Sequence, residues 1–317
     1  MRTVRYGPAG EAVMLHSRVL HYIDEVARCG SIRAAGARLH VAPSAINRQL
    51  LLLEKELGEA LFERMPRGMR LTPAGEVLLA HARRTLLDYR EAVAAMRDLH
   101  AQPSGEVVIA TMTGLASGVV AAATADFYAR YPEVRISIRA MSGHDILRAV
   151  LDGEADLGLG FNVPPSMQLE ICWQLATRLG AVLAPAHPLA AMESIPLAHC
   201  AAHPLVFADR SMVIHGIIAD TFVEAGIKVE PAFHTNSIET MKRLAVSGDA
   251  IAFLSKFDIA EERQSGTLAF RPVSDRAFSN NILSLVRREK HGHGPAGRLF
   301  AEEVLRTLEG VVAPPVA

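Results

Sequence analysis

SIRAAGARLHVAPSAINRQLLLLE, residues 31 to 54, decides how this chain is read. Gly30 precedes the stretch and Ser31 opens it, so one helix stops on a glycine suited to left-handed backbone and the next starts on a hydroxyl cap. Ala34, Ala35 and Leu39 make one apolar face on a short helix, and the alanines are small enough for a second helix to cross closely. Pro43 is a favoured first helical residue and opens that second helix, whose inward residues Ile46, Leu50 and Leu53 step by four and three. Ser44, Asn47, Arg48 and Lys55 are left facing outward. Such a row of short polar and basic side chains suits a DNA major groove: Arg48 can fork onto guanine or a phosphate, and Asn47 can pair with adenine or simply position the helix. Two packed helices with a solvated face give the same pattern, so this segment alone does not choose between the readings.

The residues that follow do choose. Beyond Leu57-Gly58, LFERMPRGMRLT alternates around Pro66-Arg67-Gly68, the pattern of a small β-hairpin, with Arg64, Arg67 and Arg70 along it. A basic hairpin beside a helix-turn-helix is a wing, placed to hold phosphates or to reach into the minor groove. Ala34-Ala35, Leu39, Ala45, Leu53-Glu54, Leu57-Gly58, Leu61-Phe62, Arg64, Leu71-Thr72 and Ala74-Gly75 stand at a spacing that resembles the LysR-type transcriptional regulators, and length and later order extend the resemblance over nearly the whole chain. It implies an α/β protein with an α-rich N-terminal winged helix-turn-helix, followed by an effector region of two α/β lobes resembling periplasmic binding proteins. One departure matters. Where the family usually carries Ser-Gln this chain has Ala42-Pro43, which removes a side-chain cap and a frequent base-reading amide and shifts readout toward Ser44, Asn47 and Arg48. The DNA contacts so expected are Ser31, Arg33, Pro43, Ser44, Asn47, Arg48, Arg64, Arg67 and Arg70.

At 317 residues and 50% hydrophobic content the chain has room for two or three units with full cores. Its net charge of −1 would argue against nucleic acid until it is divided along the chain. Residues 1 to 100 hold 15 Lys or Arg against 11 Asp or Glu, and the remainder holds 18 against 23, a basic head on an acidic body. Cys29, Cys172 and Cys200 are an odd number without paired short spacing, so packing rather than a disulfide framework is expected, with a redox role for Cys172 and Cys200 the lesser alternative. The N-terminus lacks the apolar run of a signal peptide and no later stretch is long enough to span a membrane, so a cytoplasmic protein is expected.

The expected order is a flexible extension at 1–13, a winged helix-turn-helix at 14–72, a long helix at 73–100 and a hinge at 101–105. Thr72 caps the long helix and Pro73 opens it; Leu79, Ala82, Leu86, Tyr89, Val93 and Met96 form a heptad seam for a second copy of the chain. A dimer presents two reading helices to a partly palindromic site; a tetramer is implied by the resemblance alone. From Glu106 strands and helices alternate as in a parallel sheet with crossovers. Residues 106–162 and 268–310 are assigned to a first effector lobe and 163–267 to a second, with a strand at 268–273 returning to the first sheet and another at Ile227 to Phe233.

Ligands of open α/β sheets sit beyond the carboxyl ends of strands, at helix N-termini. Thr111 and Thr113 fit this in the first lobe and Asn236 and Ser237 in the second, which favours a small carboxylate-bearing effector. Ser142 ends another strand, Phe161 stands at the first crossing, Arg210 and Ser211 follow a strand, and Phe253 lies near the rim of the second lobe. Any one Thr or Ser at a helix start is most simply a cap; their repetition at corresponding strand ends is what makes a site. Three other readings rank lower. A free-standing solute-binding protein requires export and leaves the winged head unused. A cytoplasmic small-molecule-binding protein or enzyme with a fused DNA-binding head lacks a nucleophile elbow or a carboxylate pair, and Gly158-Leu159-Gly160 lacks the third glycine of a dinucleotide fingerprint. His199, Cys200 and His203, or His291 and His293, would need further ligands to bind a metal, so neither metal nor cofactor is expected.

Overall fold

The computed structural model describes residues 18–66, 68–98, 103–274, 278, 281–288 and 294–312. The expected extension at 1–13, Arg67 of the wing, the start of the expected hinge and the pair His291 and His293 lie outside the described residues. The chain divides into two compact units between Val93 and Ala94, within the long helix.

The first unit holds three helices, α1 (Val19–Cys29), α2 (Ile32–Leu39) and α3 (Pro43–Leu57), then a hairpin of β1 (Phe62–Met65) and β2 (Gly68–Leu71), and the start of α4 (Pro73–Asp98). Gly30 ends α1 in left-handed backbone, and Thr72 caps α4 by accepting the Gly75 N–H at 3.0 Å. Tyr22, Ile23, Val26, Ala35, Ile46, Leu50, Leu61, Phe62 and Leu79 form one core. Leu79, the first residue of the expected seam, is thus spent within the head, and Arg83 of α4 ties to Asp24 of α1 at 2.8 Å.

The second unit carries two five-stranded mixed sheets. The first has the order β4 (Val134–Ala140), β3 (Gly105–Thr111), β5 (Leu157–Phe161), β12 (Asn281–Arg288), β6 (Leu169–Thr177), with β3 parallel to β4 and β5, and β12 antiparallel to β5 and β6. The second has the order β11 (Ala269–Pro272), β7 (Leu179–Leu183), β10 (Ile251–Ser255), β8 (Leu205–Ala208), β9 (Phe233–Thr235). After β3, α5 (Thr113–Leu115) continues through a π-helical stretch, Ala116–Val120, into α6 (Ala121–Arg130). The other helices that position the site are α7 (Gly143–Leu151), α8 (Leu197–Cys200), α9 (Val213–Glu224), α10 (Ile238–Val246), α11 (Ala260–Gln264) and α12 (Pro295–Val312).

Three expectations need correction. The strand at 268–273 does not return to the first sheet; β11 pairs antiparallel with β7 in the second, and the return begins at Asn281. Conversely β6, assigned to the second lobe, pairs with β12 in the first, so the chain changes sheet at Arg178 and not after Asn162. An edge strand such as β6, half exposed along its length, finds its partner far along the chain, and its own residues carry no cue to which of two sheets it joins. Of Ile227 to Phe233 only Phe233 is strand, because Pro231 has no N–H for a ladder.

The lobes are joined by more than the two crossings. Phe257 follows β10 of the second sheet, yet its buried ring packs in the core of the first lobe with Leu115, Val119, Phe127 and Phe300.

Candidate nucleic-acid interface and interlobe cleft

In the head the turn between α2 and α3 is forced tight. A Cβ on Gly36 would lie 2.7 Å from the Val41 carbonyl oxygen, so only glycine lets the chain fold back there. Ser31 caps α2 by accepting the Ala34 N–H at 3.5 Å, a structural task that the sequence also allows. α3 starts at Pro43 with no side-chain cap from Ala42. Ile46 and Leu50 point into the core, leaving Arg33, Pro43, Ser44 and Arg48 exposed and Asn47 half-buried.

The wing is pinned at two places. Gly68 packs so closely on Gly30 that a Cβ would meet its carbonyl oxygen at 2.5 Å, and that oxygen accepts the Met69 N–H at 2.8 Å. Glu54 of α3 accepts the N–H groups of Leu61 and Phe62 at 2.7 and 3.2 Å. Two of the three expected wing arginines are described, and they differ. Arg64 Nη2 donates to Asn47 Oδ1 at 3.1 Å, whereas Arg70 is paired with its cross-strand neighbour Glu63 at 2.7 Å, a hydrogen bond that raises the Arg70 pKa and offsets its charge. The docking roles of Glu54 and Glu63 are not legible in the sequence, because nothing in it distinguishes a docking carboxylate from a solvated one.

In the body, Thr111 at the end of β3 is fully buried and its Oγ1 has no hydrogen-bond partner among the described residues. Its carbonyl accepts the Met141 N–H at 2.8 Å, which brings the ends of β3 and β4 together. Thr113 opens α5 and is exposed; Ser142 caps α7, accepting the Asp145 N–H at 3.4 Å and donating to Asp145 Oδ2 at 2.6 Å. A Cβ on Gly143 would lie 3.0 Å from Met112 Cε and 3.4 Å from the Phe161 carbonyl, so these strand ends converge. Asn162 lies between β5 and β6 of one sheet and bonds to Asn281 and Ile282, which makes it a sheet fastener.

In the second lobe the Asp209 N–H donates to the Thr235 carbonyl at 2.8 Å, drawing Arg210 and Ser211 toward Asn236 and Ser237. The Ser211 N–H in turn bonds Asp209 Oδ1 at 2.9 Å and holds that carboxyl below its ordinary range. Ser237 caps α10 through the Thr240 N–H at 3.2 Å; Asn236 and Arg210 are exposed. Phe253 is not at a rim. Its ring is fully buried in the second lobe, stacked on Phe278 at 5.5 Å with Phe207 and Phe222 edge-on, because β10 is the central strand of its sheet.

Between the lobes lies a cluster that no sequence pattern marked. Ser117, in the π-helical stretch, donates to Glu239 Oε1 at 2.6 Å. Buried Lys242 bridges Glu239 and Glu262 at 2.8 Å each. Gly114 lies directly against Asp258, and a Cβ there would be 2.2 Å from Asp258 Oδ1. Burial pushes the Asp258 carboxyl up to about 6, against the opposing pull of the Ser255 N–H and Lys242. Among the described residues no group of three or more His, Cys, Asp or Glu could hold a metal ion, and no helix is long and apolar enough to cross a membrane. His203 is in ring contact with His187 at 4.5 Å. Cys29, Cys172 and Cys200 form no disulfide with one another, and burial raises the pKa of the Cys172 thiol.

Comparison with known proteins covers both units. Residues 17–76 match the family described as "Bacterial regulatory helix-turn-helix protein, lysR family", and residues 100–309 match "LysR substrate binding domain". The chain is 28% identical over 297 residues to a protein of Emiliania huxleyi named "Probable RuBisCO transcriptional regulator", covering 91% of this chain and 94% of that one. It is 28% identical over 276 residues to the "HTH-type transcriptional regulator BbuR" of Bordetella bronchiseptica, covering 87% and 85%. Among solved structures it resembles full-length CbnR complexed with its target DNA, at 25% identity and a TM-score of 0.58, covering 92% of this chain and 99% of that one. The fold also matches a full-length OxyR variant of Pseudomonas aeruginosa, with a TM-score of 0.69 at 19% identity, over 93% and 95%.

Proposed function

The chain belongs to the LysR family of DNA-binding transcriptional regulators, and from that premise we propose that it binds promoter DNA as a homo-oligomer and responds to a small carboxylate-bearing effector between its lobes. The observation that carries the effector reading is Thr111: a fully buried hydroxyl, without a partner among the described residues, stands at the end of β3, where strand ends and helix starts converge. A buried polar group left unmatched is costly, and a ligand or water oxygen would match it. Thr113, Ser142 and Phe161 on one lobe and Arg210, Ser211, Asn236 and Ser237 on the other are the remaining candidates for that cleft; Phe253, buried in the core of the second lobe, is not among them.

On the DNA side the proposed base contacts come from Ser44 and Arg48, with Arg33, Pro43 and the wing arginines on the backbone. The head spans about residues 14 to 72, and α4 beyond Leu86 supplies the face for a second copy, since Ala82 and Leu86, like Leu79, are already buried within the chain. The setting is the cytoplasm, where promoter DNA is found. An effector acts only by preferring one of two subunit arrangements, which changes half-site spacing or DNA bending. The test is a mobility shift on the DNA upstream of its own gene, with and without a panel of small carboxylates. Binding that one carboxylate alters, and that Thr113→Ala and Asn236→Ala proteins no longer sense, supports the reading; unchanged effector affinity in both variants removes those residues from the cleft.

A further inference from the structure

One bond between wing and reading helix restricts what α3 offers to DNA. Glu54 lies two helical turns from Asn47, on the same side of α3. Because Glu54 accepts the Leu61 and Phe62 N–H groups, the start of β1 is fixed to the side of α3 that carries Asn47. Side chains alternate along a strand, and Phe62 is buried in the core of the head. Arg64 therefore lies on the helix-facing side of β1, while Glu63 and its partner Arg70 occupy the other side and satisfy each other. Arg64 reaches Asn47 Oδ1 at 3.1 Å. A guanidinium only donates, so the amide must turn its oxygen to Arg64, which leaves its NH2 as the free end. Among the described residues neither that NH2 nor the charge of Arg64 has another partner.

We propose that Asn47 and Arg64 form a donor-only clamp for one DNA phosphate at the edge of the groove, and that Asn47 does not read a base. The proposal rests on α3 being the DNA-facing helix. Reading adenine takes both the oxygen and the nitrogen of an asparagine amide, side by side on a free edge. Here one lone pair of the oxygen is taken by Arg64, and the guanidinium beside it is positive, which opposes approach of the adenine amino group to the other. A phosphate oxygen, by contrast, accepts from Nδ2 and from the remaining N–H groups of Arg64 together. Base discrimination by α3 then falls to Ser44 and Arg48.

The test measures full-length protein on its own upstream DNA and on a randomised pool, over a range of salt. Asn47→Ala is expected to weaken binding about tenfold on every sequence alike, leaving the preferred bases unchanged. Arg64→Ala weakens it similarly and lowers the salt slope by about one. Arg64→Lys keeps the slope but loses the coupling to Asn47, since a point charge lacks the fork. Asn47→Asp is worse than Asn47→Ala, because a carboxylate would face the phosphate and neutralise Arg64. A changed base preference at one position in Asn47→Ala, or a gain of cytosine there in Asn47→Asp, would overturn the clamp on a protein that still binds. Wild-type protein with no preference for any sequence would overturn the underlying reading and the clamp with it.

Discussion

Ser117 Oγ donates to Glu239 Oε1 at 2.6 Å, joining the π-helical turn of the first lobe to the first turn of α10 in the second. The bond continues through Lys242, which is buried between Glu239 and Glu262. Burial disfavours the Lys242 charge, but its bonds to the two carboxylates outweigh this and raise its pKa; burial likewise pushes Glu239 up, but the bonds from Lys242 and Ser117 outweigh it and hold Glu239 below its usual value. π-Helical turns recur at functional sites, and this one sits where the lobes meet.

Removing the bridge should loosen the body. Lys242→Met leaves two carboxylates facing each other without their cation, one of them half in solvent, so the cost is set at about 2 kcal/mol, below that of a fully buried pair. Urea unfolding would measure it. A loss indistinguishable from zero would mean that solvent already screens the cluster.

The pH dependence of Asp258 has a definite sign. Its carboxyl titrates at about 6 in the folded protein against 3.8 unperturbed, so its stabilising contribution is complete below 3.8 and is lost as pH rises through 6. Asp258→Asn, which still accepts the Ser255 N–H, should therefore be more stable than the parent at pH 7.5 by up to about 3 kcal/mol. The advantage should shrink toward pH 4. An advantage that does not vary with pH would place the carboxyl in water.

Thr111→Val tests the buried hydroxyl. Replacing an unmatched polar atom by a methyl group of similar shape removes a desolvation penalty, so the effector-free protein should gain about 1 kcal/mol while carboxylate binding weakens. Calorimetric melting and titration of the same samples read both. A less stable variant would show that the hydroxyl already has a partner.

Local signals explain what the sequence made legible. Ser31, Pro43 and the Ile46–Leu50 spacing each act within a few residues, and the structure realises the helices they mark. The alternation of strands with helices along the body likewise located β3, β5 and β10, which are largely buried. The failures are relationships between distant segments. β6 and β11 join sheets fixed by partners remote in the chain, and Phe253 is buried away from any rim because β10 is a central strand, a position set only by the strand order of the sheet. The Arg64–Asn47 bond and the Ser117–Glu239–Lys242 cluster join residues on separate elements, and no spacing rule connects them. The pairing of Arg70 with Glu63 is of the same kind, since only the hairpin register sets them face to face.

The most direct measurement is the affinity of wild-type and Arg48→Ala protein for the DNA upstream of its own gene, against random DNA of equal length. The wild type should bind tightly and salt-sensitively at nanomolar concentration over a two-part site, and Arg48→Ala should lose about 1 to 3 kcal/mol of preference for that site. Arg48→Ala protein that holds the site as tightly as the parent would contradict the assignment of the exposed α3 row as the reading face.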